Sequence, residues 1–237
     1  MLRGQPVTAI IPVRGGSKGI PRKNLRQIAG RSLLERAIAL GKATKRVDRM
    51  IVSTDDLEMQ AVARKHGVAS PSLRPAGLAT DTATAKSVVE HVIEECGIEN
   101  GYVLLLQATS PLRTLGDLEG LINAFEASDA DAAVSVAAHD EPRPEKLKRI
   151  EDGWLRPYMG DGFEGPRQSL PQPYALNGAF YLVSLDAFRR EGRFIPKRTL
   201  PFVMPQERSH NLDSLTDWQI LEAMVQAGHW KLEDLPL

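Results

Sequence analysis

Several features that would direct an interpretation are scarce in this 237-residue sequence. It has one cysteine, Cys96, which excludes an internal disulfide bond and agrees with a reducing compartment. Lysine and arginine together number 30, as do aspartate and glutamate, so the net charge is zero and gives no global sign of binding to nucleic acid or to an anionic membrane. The apolar run in MLRGQPVTAIIPV is too short for a signal peptide or a membrane span, and we expect a cytoplasmic protein.

What the sequence does contain is a regular alternation of predicted strands and helices. Its 42% hydrophobic and 25% charged residues are ordinary for a globular protein, and its length fits one domain, residues 1–237. Apolar, β-branched runs predict strands at Val7–Val13, Met50–Thr54, Tyr102–Gln107, Ala132–Val136 and Asn177–Ser184. Capping residues and helical periodicity predict helices that begin near Ser32 with Glu35, Asp55 with Glu58, Thr84, Thr114 with Asp117, and Ser214 with Asp217. We therefore expect an α/β fold with a doubly wound, mostly parallel sheet.

Two stretches interrupt this alternation. Residues 139–172 are rich in proline, glycine and charge, residues 193–209 are irregular and contain several prolines, and we interpret both as arm or insertion segments. Within the first, LKRIEDGWLRPY predicts a hairpin that turns at Glu151–Gly153. An arm of this kind on an α/β domain is typical of a dimer contact.

A glycine loop with clustered cations follows the first predicted strand, in IIPVRGGSKGIPRKN. Ligands of doubly wound sheets bind outside the carboxyl ends of the strands. Gly15 and Gly16 would let backbone amides approach an anion, and Arg14 and Lys18 would neutralise phosphate charge. The loop has neither the G-x-G-x-x-G nor the Walker A pattern. The residues favour phosphate binding over a basic surface turn, and both interpretations stay open at this point.

Two further polar segments stand at the predicted ligand-binding edge. LRPAGLATDTATA between two helices predicts a defined loop whose Thr82 or Thr84 caps the next helix, with Asp81 favouring the helix dipole. Gln107 ends the third strand and would point into the crevice, whereas local hydrogen bonding accounts for Thr109 and Ser110.

The segment HNLDSLTDW offers a candidate for metal binding. Asp213 and the amide of Asn211 could hold Mg²⁺ if phosphate oxygens supplied the remaining ligands. A structural interpretation is also open, because Ser214 and Asp217 match a capping box and Asp213 would belong to the cap. No set of histidines and cysteines resembles a zinc site, and no Ser-His-Asp arrangement can be argued from spacing.

Taken together and in order, these stretches resemble the acylneuraminate cytidylyltransferase family, the CMP-sialic acid synthetases. The resemblance runs from about Val7 to about Ala227. The matching pieces are VRGGSKGIPRKN, IVSTDD, LRPAGLATDTA, LLQATSPLRT, PRQSLPQPYALNGAFY and NLD. Each of these motifs has low specificity alone, and their shared order and spacing make the match specific.

The resemblance implies a fold, an assembly and a reaction. The fold is a Rossmann-like, mostly parallel α/β sheet of the nucleotidyltransferase type, the nucleotide-diphospho-sugar transferases, with a dimerisation arm that joins two copies as a homodimer. In the reaction, the anomeric hydroxyl of a nine-carbon 2-keto acid sugar attacks the α-phosphorus of CTP. The products are the CMP-sugar and pyrophosphate, and the cofactor is Mg²⁺. The small-molecule partners are thus CTP and an acidic sugar, without nucleic acid or membrane.

The resemblance also implies roles for individual residues. The matches to the loop that binds the CTP phosphates and ribose are Arg14, Gly15, Gly16, Ser17, Lys18 and Asn24. The matches to the segment that reads cytosine are Arg74, Thr82, Ala83 and Thr84. The matches to the sugar pocket are Gln107, Arg167, Asn177 and Tyr181. Lys146 matches a basic residue that the arm brings to the active site, and Asp213, with Asn211, matches the metal site. The implied catalytic residues are Arg14, Lys18, Lys146 and Asp213.

Three positions depart from the family pattern. The metal motif, often Asp-x-Asp, reads Asn211-Leu212-Asp213, and Ala175 stands where these enzymes can carry an arginine. Ala85 takes the place of a serine that contacts the base. These departures leave legionaminic and pseudaminic acid as rivals of N-acetylneuraminic acid. A synthetase for the shorter acid Kdo also stays open, as does a nucleotide-binding homologue with impaired catalysis.

Overall fold

A central six-stranded sheet organises the chain, for which the computed structural model describes residues 1–159 and 171–228. The strands in those ranges are β1 Val7–Pro12, β2 Gln27–Ile28, β3 Arg31–Ser32, β4 Arg49–Ser53, β5 Tyr102–Leu105, β6 Ala132–Ala138, β7 Lys148–Glu151, β8 Trp154–Pro157, β9 Tyr174–Ser184 and β10 Thr199–Val203. The central sheet has the order β4-β1-β5-β9-β6-β10. Two small antiparallel ribbons, β2 with β3 and β7 with β8, lie outside it.

Five of the six central strands run in one direction. β1 pairs in parallel with β4 and β5, and β10 pairs in parallel with β6. β9 runs against both neighbours, with Leu182 opposite Leu104 of β5 and opposite Ala133 of β6. The predicted mostly parallel sheet is therefore confirmed. The reversed direction of β9 was not predicted, because an apolar run indicates a buried strand without indicating its direction.

The helices begin largely at the predicted caps. In the described ranges they are α1 Leu33–Ala43, α2 Leu57–Lys65, α3 Ala85–Glu95, α4 Leu115–Glu126, α5 Leu185–Glu191 and α6 Leu215–Gln226. Reciprocal capping boxes open α1, α4 and α6 at Ser32, Thr114 and Ser214, as predicted. The cap of α2 is Asp56, whose carboxylate accepts bonds from the first-turn amides, so the prediction of Asp55 was wrong by one residue.

Each face of the sheet carries its own apolar layer, which makes the sheet doubly wound. Residues of α1, α2, α4 and α6 pack with Ala9 and Ile11 of β1 on one face, whereas residues of α3 and α5 pack with Ile10 on the opposite face. Among the residues that the structure describes, the largest fully buried side chain is Trp218 of α6. Complete burial of a leucine- or phenylalanine-sized side chain contributes about 1.5–3 kcal/mol. Burial on both faces explains why β1 reads as a continuous apolar run.

The segment 193–209 is not an insertion, because it contains the edge strand β10. Thr199–Val203 pairs in register with Ala132–Val136 of β6. Pro201 lies within β10, which has no partner strand on one side among the described residues. A proline without an amide donor is tolerated in such an edge strand. The prolines of this segment, interpreted from the sequence as signs of irregular structure, therefore mark a sheet edge.

The predicted hairpin is present within residues 139–172. β7 and β8 are joined at Asp152 and Gly153, whose φ angles of 53° and 81° match a type I′ turn. Residues 160–170 of this segment lie outside the described residues. Among the residues that the structure describes, none of the helices has the length and apolar character to cross a membrane.

Candidate active-site cleft

A cleft of about 560 Å³ opens beyond the carboxyl ends of β1 and β5. Four segments enclose it: the loop after β1, the segment before α3, the loop after β5 and the segment before α6. Nine of the predicted site residues line it: Arg14, Ser17, Lys18, Asn24, Arg74, Ala83, Gln107, Asn211 and Asp213. The cleft therefore lies where the sheet topology places ligands in doubly wound folds.

The glycine loop is held by hydrogen bonds to two neighbouring segments. Gly15 N donates to Asp55 Oδ1 at 3.1 Å, and Asn24 Nδ2 donates to Arg14 O at 3.1 Å. A Cβ on Gly15 would lie 2.8 Å from Asp56 Oδ2, so a larger residue would have to displace the side chain that caps α2. The amide of Gly15 thus binds an aspartate in this structure, and Gly16 is the loop glycine with open space around it.

Two of the four cations of the loop, Arg14 and Lys18, are paired with an acid across the cleft. Arg14 Nη2 lies 2.8 Å from Asp81 Oδ1, and Lys18 Nζ pairs with Asp81 Oδ2. The hydrogen bond from Lys18, followed by that from Arg14, holds the pKa of the Asp81 carboxyl below its usual range. Asp81 was predicted only to favour the dipole of α3, and its contact with the loop was missed.

Arg74 lies beneath the loop, at the ends of β1 and β4. Its guanidinium donates to Val13 O and, at 3.2 Å, to Ser53 O, and it lies 4.0 Å from Asp55. Burial is the main reason that the pKa of Arg74 is lowered, and the nearby charge of Arg14 acts in the same direction. The guanidinium joins two strand ends, and its Nε has no hydrogen-bond partner among the described residues.

The segment predicted to read cytosine contributes several residues to the lining of the cleft. Thr80 and Ala83 line the cleft, whereas Thr82 lies outside the lining, with its hydroxyl 3.2 Å from that of Thr80. Thr84 caps α3 by accepting a bond from Ser87 N at 3.1 Å. Thr84 therefore has the capping role that its spacing had also predicted.

The segment before α6 forms the opposite wall. Asn211 Nδ2 donates to Asp213 Oδ2 at 2.6 Å, and Lys23 Nζ donates to Leu212 O at 2.6 Å and lies 3.4 Å from Asp213 Oδ1. A Cβ on Gly19 would lie 2.2 Å from Asp213 O, so the glycine loop touches the Asp213 backbone directly. Lys23 and Gly19 were not predicted as site residues. Their proximity to Asp213 depends on tertiary structure alone.

Gln107 and Asn211 meet at Gly178. A Cβ on this glycine, whose φ is +74°, would lie 3.0 Å from Gln107 Oε1, 3.4 Å from Ser110 Oγ and 3.5 Å from Asn211 Oδ1. Asn211 Oδ1 is buried and has no hydrogen-bond partner among the described residues. Glycine at position 178 thus lets the Gln107 and Asn211 side chains approach the backbone of β9, where a larger residue would block them.

Two predicted sugar-pocket residues do not line the cleft in this structure. The side-chain amide of Asn177 accepts a bond from Ser135 Oγ at 2.6 Å and donates to Ser209 Oγ at 2.9 Å, and it is buried behind the cleft. Tyr181 packs against Phe194 with ring centroids 6.0 Å apart. Both side chains are therefore engaged within the protein.

The predicted arm residue Lys146 also lies away from the cleft lining. Its Nζ donates to Glu141 Oε1 at 2.8 Å, within the segment that precedes the hairpin. Arg167, the remaining predicted sugar-pocket residue, lies outside the described residues.

Known proteins match this sequence over most of its length. A pseudaminic acid cytidylyltransferase of Campylobacter jejuni is 27% identical over 223 residues, covering 93% of this chain and 96% of that protein. An N-acylneuraminate cytidylyltransferase of Streptococcus agalactiae is 29% identical over 212 residues, covering 88% of this chain and 51% of that longer protein.

A solved structure shares the fold. The synthetase of CMP-2-keto-3-deoxy-manno-octonic acid, solved with CTP, superposes with a TM-score of 0.70 over 94% of this chain and 99% of its own, at 14% identity. A family model described as cytidylyltransferase matches residues 8–157, from β1 through β8. Because that match spans more than half of the sequence, the expectation from the motifs is confirmed: the chain belongs to the cytidylyltransferase family and is a nucleotidyltransferase.

Proposed function

We propose that this protein transfers CMP from CTP to the anomeric hydroxyl of a nine-carbon 2-keto acid sugar, releasing pyrophosphate. The observation that carries the proposal is the cleft, in which Arg14 and Lys18 lie on one wall and Gln107 and Asp213 line the same cavity. Relatives named as cytidylyltransferases for pseudaminic and N-acylneuraminic acid support the acceptor class. Under this proposal the protein works in the cytoplasm, where CTP is available.

The nucleotide is proposed to bind between the glycine loop and the segment before α3. Phosphoryl transfer needs positioning and charge stabilisation more than covalent chemistry from the protein. Arg14 offers a planar fork and Lys18 a compact charge to the phosphates, and both would offset charge that develops on the leaving pyrophosphate. Ala83 lines the neighbouring wall, where backbone groups would bind cytosine.

The sugar is proposed to bind near Gln107, on the side of the cleft formed after β5 and before α6. The amide of Gln107 can bind both donors and acceptors of the sugar. The amide of Asn177 is already bonded to Ser135 and Ser209, so Asn177 would support the sugar pocket from within the protein and would not contact the sugar itself. Tyr181 and Arg167 stay predicted sugar-pocket residues, and for Tyr181 a contact with the sugar would require a change from the packing seen here.

Magnesium is proposed to bind at Asp213. Asp213 supplies one exposed carboxylate to the cleft, which fits an Mg²⁺ ion whose other ligands are phosphate oxygens of the bound nucleotide. Asn211 donates from Nδ2 to the Asp213 carboxylate, so in this geometry the amide oxygen of Asn211 does not point toward the proposed metal position beside Asp213. The described residues contain no cluster of three or more metal-binding side chains, and phosphate oxygens would complete the site. When bound, Mg²⁺ would neutralise charge on the phosphates.

A homodimer is proposed to form through the β7–β8 hairpin. Ile150, Trp154 and Leu155 of this hairpin are 79%, 69% and 69% exposed. Tyr174 and Leu176, at the start of strand β9, are 53% and 52% exposed. Ile150 and Leu155 lie opposite each other on one face of the hairpin, and Trp154 lies on the other face. Exposed apolar side chains on a hairpin outside the central sheet are typical of an interface. A second copy would cover them and would bring its Lys146 region toward the cleft of the first copy.

The proposed function is tested by measuring pyrophosphate release. The assay combines CTP and Mg²⁺ with N-acetylneuraminic, legionaminic, pseudaminic or Kdo acceptors, and replaces CTP with ATP, GTP or UTP as controls. We expect release with CTP and one of the nine-carbon acids. Release of pyrophosphate with Kdo alone would show that the acceptor is the shorter acid and not a nine-carbon sugar. CTP binding without turnover on any acceptor would favour a nucleotide-binding homologue with impaired catalysis.

Lys18→Ala tests the role of the glycine loop in the same assay. The Lys18 side chain is 83% exposed, so its loss should leave folding intact while turnover is abolished. Lys45→Ala is the matched control, because Lys45 is also exposed and lies outside the residues that line the cleft. Equal rates in both variants and the wild type would contradict the assignment of the loop.

A further inference from the structure

Two of the four cations of the glycine loop, Arg14 and Lys18, are already paired with an internal anion. Asp81 belongs to the segment before α3, and its two carboxylate oxygens are divided between the two cations. Oδ1 lies 2.8 Å from Arg14 Nη2, and Oδ2 pairs with Lys18 Nζ. All three residues line the cleft. One carboxylate therefore spans the cleft and contacts both cations that the proposed reaction assigns to phosphate.

We propose that Asp81 is an internal competitor of the nucleotide, which holds Arg14 and Lys18 in the free protein and releases both when a triphosphate binds. The inference rests on the proposed function, because only a polyphosphate that uses the same two cations must displace Asp81. A carboxylate at this distance from the cations would lie against the phosphate oxygens and repel them. The segment before α3 must then move its carboxylate aside as the triphosphate enters.

The exposure of the three side chains indicates that this exchange is easy. The side chains of Arg14, Asp81 and Lys18 are 31%, 42% and 83% exposed. Ion pairs at such sites are weak and screened by solvent. The pairs are thus strong enough to orient the two cations and weak enough to yield to a ligand with several negative charges. Removing the competitor should tighten nucleotide binding about three- to tenfold, the range expected for two weak ion pairs.

The same competition should act on the product side. Pyrophosphate leaves from the cations that Asp81 binds in the free protein, so the carboxylate replaces the product as it departs. A protein without this carboxylate should release pyrophosphate more slowly and be inhibited by it at lower concentration. The two effects have one cause, and they should change together.

The experiment is a calorimetric titration of the full chain with CTP and Mg²⁺, followed by inhibition of turnover by inorganic pyrophosphate. Asp81→Asn keeps the size of the side chain and removes its charge. Asp129→Asn is the matched control, because Asp129 pairs with Arg198 at 2.5 Å on the surface and does not line the cleft. We expect tighter binding of CTP and pyrophosphate by Asp81→Asn and wild-type values for Asp129→Asn.

Each contrary result has a distinct meaning. Unchanged or weaker CTP binding by Asp81→Asn, with normal binding by the wild type, overturns the inference and leaves the proposed function standing. Absence of CTP binding by the wild type contradicts both. In a Lys18→Ala background the gain from Asp81→Asn should shrink, because one of its two partners is missing. A gain that persists undiminished would mean that Asp81 acts through the general field of the protein, which also overturns the inference.

Discussion

The contact between Gly19 and the backbone of Asp213 gives the sharpest test of how the cleft is assembled. The glycine loop and the segment before α6 meet at this point, and a Cβ on Gly19 would lie 2.2 Å from Asp213 O. Gly19 does not require a positive φ, so alanine at this position is opposed by the contact alone and not by backbone strain. Gly19→Ala therefore pushes the two walls of the cleft apart.

The size of the effect follows from the distance. The two backbones must separate by about 0.8 Å to bring the contact from 2.2 Å to the 3.0 Å below which Cβ contacts essentially never occur. A misplacement of about 1 Å at a reacting centre can cost on the order of 100-fold in rate. Overpacking of this kind also destabilises a protein by about 1–3 kcal/mol. We expect kcat/KM to fall by about 30- to 100-fold while the protein remains folded.

The assay is steady-state pyrophosphate release, combined with thermal unfolding to confirm that the variant is folded. Gly77→Ala is the control, because Gly77 lies in the segment before α3 and a Cβ there would meet no atom within 4 Å. The control should retain the wild-type rate within about threefold. A Gly19→Ala variant with the wild-type rate would show that the close approach of these two segments is not needed for turnover, and it would refute the reasoning.

Three further predictions concern a buried pair, the metal site and the hairpin. Asp117 is buried, yet hydrogen bonds from Arg208 and Thr114 outweigh that burial and lower its pKa. Asp117→Asn should therefore lower the free energy of unfolding by about 2–4 kcal/mol at pH 7. Unfolding measured against pH should show this difference above about pH 4, and the difference should be lost as the pH falls through the lowered pKa of Asp117. Asn211→Asp should strengthen Mg²⁺ binding in calorimetry with CTP present, whereas Asn211→Ala should not, because only the former adds a carboxylate beside Asp213. Trp154→Glu should shift sedimentation toward the monomer while each protomer stays folded, because Trp154 is exposed in one protomer. An unchanged sedimentation coefficient would count against the hairpin as an interface.

Local chemistry made most of the fold predictable. Capping boxes depend on residues three positions apart, and the boxes at Ser32, Thr114 and Ser214 were located correctly. β10 was missed because Pro201 ordinarily argues against a strand, and only its place at the sheet edge removes that objection. The direction of β9 was also missed, because the direction of a strand depends on the path of the connection before it and not on the residues of the strand itself.

The site was predictable to the extent that its residues follow strand ends. Arg14 and Gln107 follow β1 and β5, and the topology brings them to one edge. Contacts across the cleft had no signal in the sequence, because a lysine such as Lys23 in a loop, or an aspartate such as Asp81 near the start of a helix, does not indicate which distant segment it contacts. Their pairing with Lys18 and Asp213 depends on how four loops are packed together.

The ion pairs of the glycine loop offset its positive charge locally, in a chain without net charge. Each of its four cations is paired with an acid of another segment: Arg14 and Lys18 with Asp81, Arg22 with Asp56, and Lys23 with Asp213. The loop is thereby tied to the segment before α3, to the start of α2 and to the segment before α6. A triphosphate would replace the Asp81 partner and leave the pair at Asp56 in place. Under the proposal, binding would exchange one anion for another at a preformed pair of cations, and this would limit the reorganisation that the ligand must cause.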